Sequence, residues 1–324
     1  MKLIKSKSRE LLLIAVILVI GLIVQTQSPF FSKINLTNML YANSIQGIMA
    51  LGMMMVITTA NIDISVGAMF AVCNMICAAF AKATGGEMVL PAVLIAMAVG
   101  TVLGMFNGLL VAKLNIPAIV VTLGSMNIMR GGIYFLTDGA WVEGLSGAFT
   151  KLASNRVILN IPLAVWFWLL AAIVTYVLLY RTRMGRNILA VGGNVVAAER
   201  VGISKTKTLL FAFGYLGALT GLAGAVSAAK LRTAQPSNGL GYEMDLIAGV
   251  IIGGTQFTGG ICSILGTILG VILLGVIKNG LVQAKVPVYW QDLATGVIII
   301  IAVASSGLRE LKPNKKNKKE AAKG

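Results

Sequence analysis

The chain has 324 residues, of which 57% are hydrophobic and 12% charged, with mean hydropathy +0.88 and a formal net charge of +16. Soluble domains carry about a quarter charged residues, and apolar runs recur here from Leu11 to Ala304, so a soluble globule is excluded and no room is left for a soluble domain beside a membrane part. The charge is not a nucleic-acid footprint, because 17 of the 27 Lys and Arg fall in residues 1–10, 181–207 and 307–324, which can share one side of a bilayer.

Taken in chain order, the apolar runs predict an all-α polytopic membrane protein with about ten transmembrane helices, each near the twenty residues a bilayer requires. They fall at 11–27, 40–59, 64–82, 89–112, 117–136, 163–180, 208–229, 245–260, 264–282 and 289–306. Residues 1–24 have the outline of a signal peptide, with Lys2, Lys5, Lys7 and Arg9 before an apolar run. The following Gln-Thr-Gln-Ser-Pro-Phe lacks a small-x-small cleavage site, so the run reads as an uncleaved first span. With the N-terminus in the cytoplasm, the ten-span topology puts 18 cations inside and 7 outside, and Arg130 and Lys278 fall within spans. Both termini are then cytoplasmic. Residues 1–306 form one membrane domain, and the basic tail 307–324 is a disordered cytoplasmic end that meets anionic lipid.

Asp63 is the only acid between Glu10 and Glu87. A carboxylate at membrane depth costs a few kcal/mol on the insertion scale, so it faces a bundle interior, a partner or a water-filled path. It lies in Asn61-Ile-Asp-Ile-Ser-Val-Gly67, where Ser65 and Gly67 favour a short helix break. Two roles suit Asp63: holding that break, or touching a solute. Arg130, in Met129-Arg-Gly-Gly-Ile133, falls in the outer half of span five. It either snorkels to the interface or serves as a cation at the outer mouth. Cys73, Cys77 and Cys262 sit in apolar surroundings and read as small packed hydrophobes, and no metal site is expected.

The chain also carries an internal repeat. Gly100-Thr-Val-Leu-Gly104 recurs as Gly266-Thr-Ile-Leu-Gly270, followed by Asn107-Gly-Leu-Leu and Asn279-Gly-Leu-Val respectively, and then by Lys113 with Pro117 and Lys285 with Pro287. Asp63 to Gly67 upstream of the first is matched by Asp245 to Gly249 upstream of the second. In the ten-span topology the two halves run in opposite directions. Inverted repeats of this kind place a solute path at their interface, lined by interrupted helices. Small-residue helix packing accounts for each glycine singly but not for three landmarks in one order.

The longest inward connection is residues 181–207. Gly192-Gly193 is expected to split it into two short helical pieces, the second capped by Asn194. The small Ala197 and Ala198, flanked by Arg186 and Arg200, make a compact knob that suits a groove on another protein; a plain solvated connector is the alternative.

Together, Asn61–Gly67, Ile116-Pro-Ala-Ile-Val-Val-Thr-Leu-Gly-Ser-Met126, the Gly185-Arg-Asn…Gly192-Gly-Asn…Ala197-Ala198 loop and Gly241-Tyr-Glu-Met-Asp-Leu-Ile-Ala-Gly-Val-Ile-Ile-Gly-Gly254 resemble the permease subunits of ribose-type monosaccharide ABC importers. The resemblance spans about residues 10–306; Asn61 stands where a glycine is usual. It implies a vitamin B12-type importer architecture in a prokaryotic plasma membrane. The implied partners are a second permease copy or paralogue, cytoplasmic ATPase subunits and an external solute-binding protein. Solutes of that family include pentoses, hexoses and the furanosyl autoinducer-2. The resemblance also implies that Gly185, Arg186, Gly192, Gly193, Asn194, Ala197, Ala198, Arg200 and Gly202 belong to a coupling loop seated on the ATPase. Candidate path or helix-break residues are Asn61, Asp63, Ser65, Gly67, Thr122, Asp245 and Gly249.

No Gly-x-x-x-x-Gly-Lys-[Ser/Thr] is present, so no cofactor is expected in this chain, and ATP with Mg would be bound by the partner. The alternative transport reading is an ion-coupled secondary transporter using Asp63 and Asp245. Catalysis is disfavoured: there is no His, and the acids are scattered.

Overall fold

A computed structural model describes residues 2–300 except 27, 157, 158, 288, 292, 295, 298 and 299. The elements in chain order are α1 (Lys2–Gln25), α2 (Lys33–Thr58), α3 (Val66–Ala83), α4 (Val89–Leu114), α5 (Ala118–Thr137), β1 (Val142–Glu143), α6 (Gly147–Ser154), α7 (Leu163–Arg181), α8 (Arg183–Gly193), α9 (Val195–Arg200), α10 (Lys205–Leu231), β2 (Thr233–Ala234), α11 (Tyr242–Ile252) and α12 (Ile264–Gln283). Among the described residues, seven helices, α2 to α5, α7, α10 and α12, are long and apolar enough to cross a membrane. The 24-residue α1 overlaps the expected first span, and its Leu11, Leu12, Val19, Leu22 and Ile23 are exposed. The molecule is a helical, multi-pass membrane protein.

One expected span takes a different form. Over 245–260 the helix α11 ends at Ile252 after 11 residues, about 16 Å of rise, which is half a bilayer. The chain then turns at Gly254, Gly259 and Gly260, whose φ values of 103°, 85° and 75° only glycine adopts without strain. In a hydropathy window such a glycine-rich stretch passes for apolar helix. The expected tenth span, 289–306, runs beyond the described residues, and the tail 307–324 lies wholly outside them.

The bundle is built around α2 and α10, whose apolar windows are 78% and 72% buried, against 28% for α4 and α5. Two contacts fix their antiparallel course. Lys230 Nζ donates to Tyr41 O at 3.1 Å towards one end, and Gly52 lies against Leu216 further along. α10 packs along α3 and α4, while α2 packs along α11 and α12, so each long helix serves the other half of the chain. α4, α5 and α7 turn Leu90, Val102, Phe106, Phe135, Leu170 and Ile173 outward. That much exposed apolar surface is a liability in water but the proper exterior in hydrocarbon.

Both copies of the repeated Gly-Thr-x-Leu-Gly segment sit at close backbone crossings. A Cβ on Gly100 would overlap Gly217 O, and one on Gly104 would overlap Phe213 O. Likewise a Cβ on Gly266 would overlap Gly253 O, and one on Gly270 would overlap Gly249 O. Helix association in lipid depends on van der Waals fit, which these small residues allow. β1 and β2 pair antiparallel, Val142 with Ala234 and Glu143 with Thr233, tying the segment after α5 to the end of α10.

Substituting Gly217→Ala should cost about 1–3 kcal/mol through overpacking, seen as a lower unfolding temperature in detergent. Gly124→Ala, on α5 with nothing within 4 Å of the new methyl, should instead be neutral or stabilise by about 0.5–1 kcal/mol.

Candidate functional site

The first break follows α2. Ala60 takes φ 60°, and the chain runs through Asn61 to Ser65, which caps α3. Asp63 is fully buried, and all of its recorded partners are neutral. Its Oδ1 accepts the backbone N–H of Ser65 at 2.8 Å and the Ser65 hydroxyl, forming an Asx-type turn at the helix start. Asn107 of α4 donates to Asp63 Oδ2 at 3.4 Å and to Ser65 Oγ at 2.9 Å. Ser125 of α5 in turn donates to Asn107 Oδ1 at 2.6 Å. Asn61 is half-buried and donates to Thr59 O at 2.8 Å, so it stays within its own turn.

The second break lies between α10 and α11. Arg232 ends α10 at φ 60°, and Gly239 and Gly241, at 75° and 80°, turn the chain into α11. Here α11 starts against the start of α3. A Cβ on Gly67 would overlap Gly239 O, and the Phe70 and Tyr242 rings lie 5.3 Å apart. The segment is held by side chains. Arg130 Nη1 donates to Pro236 O and Asn238 O, both at 2.8 Å. Asn238 donates to Asn74 Oδ1 at 3.0 Å, and Asn74 donates to Gly224 O at 2.9 Å. In the first turn of α11, Asp245 accepts from Gln46 Nε2 at 2.9 Å and pairs with Lys278 Nζ of α12 at 2.6 Å.

The structure therefore brings Asp63, Ser65 and Gly67 together at one break and Asp245 close to the other, but the two carboxylates are not equivalent. Asp63 precedes its helix, whereas Asp245 stands inside the first turn of α11. Gly249 is a packing contact under Gly270, and Thr122 donates to Ala118 O of its own helix at 2.8 Å, so neither joins a break. Arg130 is engaged with backbone carbonyls. Sequence reading did not place Gln46, Ser125 or Lys278 in the site. The available signal was a lone cation, Lys278, inside an apolar run.

The connection between α7 and α10 forms two helices, but the break falls at Asn194, one residue after Gly192-Gly193, which still belong to α8. Asn194 Oδ1 accepts the N–H of Ala197 at 2.9 Å as an N-cap. Gly185 is packed under the carbonyls of Leu178 and Leu179. A Cβ on Gly192 would overlap Thr58 O, and the same carbonyl accepts Gly260 N at 2.9 Å. Burial pushes the Cys262 thiol up to about 11, against a hydrogen bond to Thr58 that lowers it. Three segments thus meet: the end of α2, the end of α8, and the glycine turn after α11. Arg186, Val196, Ala197, Arg200, Val201 and Gly202 are exposed, whereas Ala198, expected beside Ala197 on the outer knob, is buried within the chain. On a helix, adjacent residues point about 100° apart, so the pair cannot share one face.

A multi-pass helical bundle with two helix breaks held by polar side chains, and with a small-residue loop packed beneath one of them, is an architecture suited to a membrane transport subunit. Residues 35–303 match the family described as branched-chain amino acid transport system / permease component, and the chain belongs to that family. It is similar to the ribose import permease protein RbsC of Escherichia coli strain K12, 38% identical over 299 residues covering 90% of this chain and 91% of the relative. The Bacillus subtilis ribose import permease protein RbsC is 36% identical over 88% of each chain. The autoinducer 2 import system permease protein LsrC of Salmonella typhi is 33% identical over 95% of this chain and 88% of the relative. No solved structure matches the chain.

Asp63→Asn would set an amide N–H₂ against that of Asn107, so a loss of about 1–3 kcal/mol is expected, measured as a lower unfolding temperature and a smaller folded yield. Arg130→Met removes two charge-assisted bonds to carbonyls and should lose about 1.5–3 kcal/mol per such bond at most. Limited proteolysis should then cut within 235–241 faster than in the parent protein, where Arg130 ties that segment down.

Proposed function

We propose that the chain is the transmembrane permease of an ATP-binding cassette importer, passing a monosaccharide or related small polar solute delivered by an external binding protein. The observation that carries this reading is the similarity over about 90% of the chain to ribose and autoinducer-2 import permeases. On this reading the protein sits in a prokaryotic plasma membrane with both termini cytoplasmic and crosses it ten times. α11 with segment 232–241 makes the eighth crossing, and the tenth is the one expected over 289–306, which runs beyond the described residues. The exchange of packing between the halves, α10 on α3 and α4 and α2 on α11 and α12, supports inverted repeats of the vitamin B12-type architecture. The permease works as a pair with a second copy or paralogue.

α8 and α9 are the coupling element. ATP and Mg are bound by the cytoplasmic ATPase subunits seated against Val196, Ala197 and Val201, and a push on the loop reaches the α2–α3 break through the contact of Gly192 with Thr58. Two uncompensated events drive such a cycle: closure of the ATPase pair and release of solute from a weakly binding path.

The test is the exposed Ala197. Ala197→Glu should leave the permease folded and inserted, yet the ATPase should fail to co-purify or lose its stimulation by loaded binding protein by tenfold or more. Ala198→Glu should instead lower folded yield, because that position is internal. Normal ATPase binding and stimulation by Ala197→Glu would remove the coupling role. Uptake that persists when ATP is depleted and ion gradients are kept would favour an ion-coupled secondary transporter.

A further inference from the structure

The two breaks hold their carboxylates in opposite states. Asp63 is 0% exposed and enclosed by Ser65, Asn107 and, through Asn107, Ser125. The Asp245 side chain is 11% exposed, and that of its partner Lys278 is 35% exposed. Lys278 stands about 21 Å along the roughly 30 Å of α12 from Ile264, and Gln46 stands about 18 Å along α2 from Thr58, so the pair and its amide partner lie inside the apolar helices. An ammonium one-third exposed within an apolar helix opens onto water or onto another polar surface rather than onto hydrocarbon.

A second observation points the same way. Asn43, one turn from Gln46 on α2, is 7% exposed, and among the described residues its Nδ2 has no hydrogen-bond partner. Its amide rests over Gly275, one turn from Lys278, where any Cβ would overlap it. Asn43 is sealed behind this group, and Gln46, Asp245 and Lys278 present spare N–H donors and a carboxylate with lone pairs to spare, with charges that cancel.

Resting on the permease reading above, we infer that Gln46, Asp245 and Lys278 line the solute path in the second half of the chain and receive the hydroxyl groups of a neutral polyol, while the Asp63 cluster holds the fold and never meets solute. A charge-neutral set of alternating donors and acceptors suits vicinal hydroxyls. It gives no net field to trap an ion and no single strong contact to prevent release.

The experiment uses the complete importer, permease with ATPase and binding protein, in membrane vesicles, with Cys73 and Cys77 replaced by Ala and Cys262 by Ser. Single cysteines are then placed at Gln46, Lys278, Ser125 and the outward-facing Val102. The probe is a membrane-impermeant cationic methanethiosulfonate applied from each side. Gln46→Cys and Lys278→Cys should react at least tenfold faster than Ser125→Cys and Val102→Cys from one side or the other. Gln46→Cys leaves the Asp245–Lys278 pair intact, so it remains informative if Lys278→Cys fails to fold. Slow reaction at position 46 from both sides, in a complex that still takes up solute on ATP, overturns the inference while leaving the permease reading standing. Reaction of Ser125→Cys as fast as that at position 46 overturns it too. Failure of the ATPase to co-purify with the parent chain would instead strike at the permease reading.

Discussion

Backbone N–H and C=O groups that leave a helix inside a bilayer have no water to turn to, and each unsatisfied group costs several kcal/mol. Everything distinctive about this bundle follows from having two such interruptions. At the first, a carboxylate beside the start of α3 accepts the N–H and hydroxyl of Ser65, and α4 and α5 close over it with Asn107 and Ser125. At the second, Arg130 supplies two N–H groups to carbonyls that no helix can serve. The donor and acceptor demands are opposite, and so are the side chains that meet them: acceptor oxygens of Asp63 for a helix N-terminus, the donor guanidinium of Arg130 for bare carbonyls.

These polar clusters reach the breaks only because the helices carrying them come close. α4 and α10 approach through Gly100, Gly104 and Gly217, and α11 and α12 through Gly253, Gly266 and Gly270, at separations that exclude even a methyl group. The repeated Gly-Thr-x-Leu-Gly is thus a spacing device used once in each half. The residues one or two turns further on, Asn107 in α4 and Lys278 with Asn279 in α12, are brought to bear on Asp63, on Asp245 and on Asn35 respectively. Divergence between the halves lies in those residues: a neutral amide seals one carboxylate, and a partly exposed lysine pairs the other.

The same close packing ties the first break to the loop α8–α9. Gly192 meets Thr58, which is three residues before Asn61, and Gly260 hydrogen-bonds the same carbonyl. The loop, the end of α2 and the turn after α11 therefore share one junction.

From the sequence alone, hydropathy determined that the chain crosses a membrane repeatedly. Eight of the ten expected spans overlap helices of 18 residues or more, because twenty apolar residues in hydrocarbon have no other way to satisfy their backbone. The break at Asp63 and the cap at Asn194 were legible for the same local reason, a polar side chain that bonds its own backbone. Tertiary structure decided what composition cannot encode. The helix expected over 245–260 stops at Ile252, since glycines counted as apolar take left-handed turns against α2 and α8. Ala198 faces inward and Ala197 outward because α9 has a particular rotation against the bundle. Arg130 holds a segment more than a hundred positions away, and Lys278 finds Asp245 across two helices. Such partners are set by packing between distant elements, and no periodicity within either one records them.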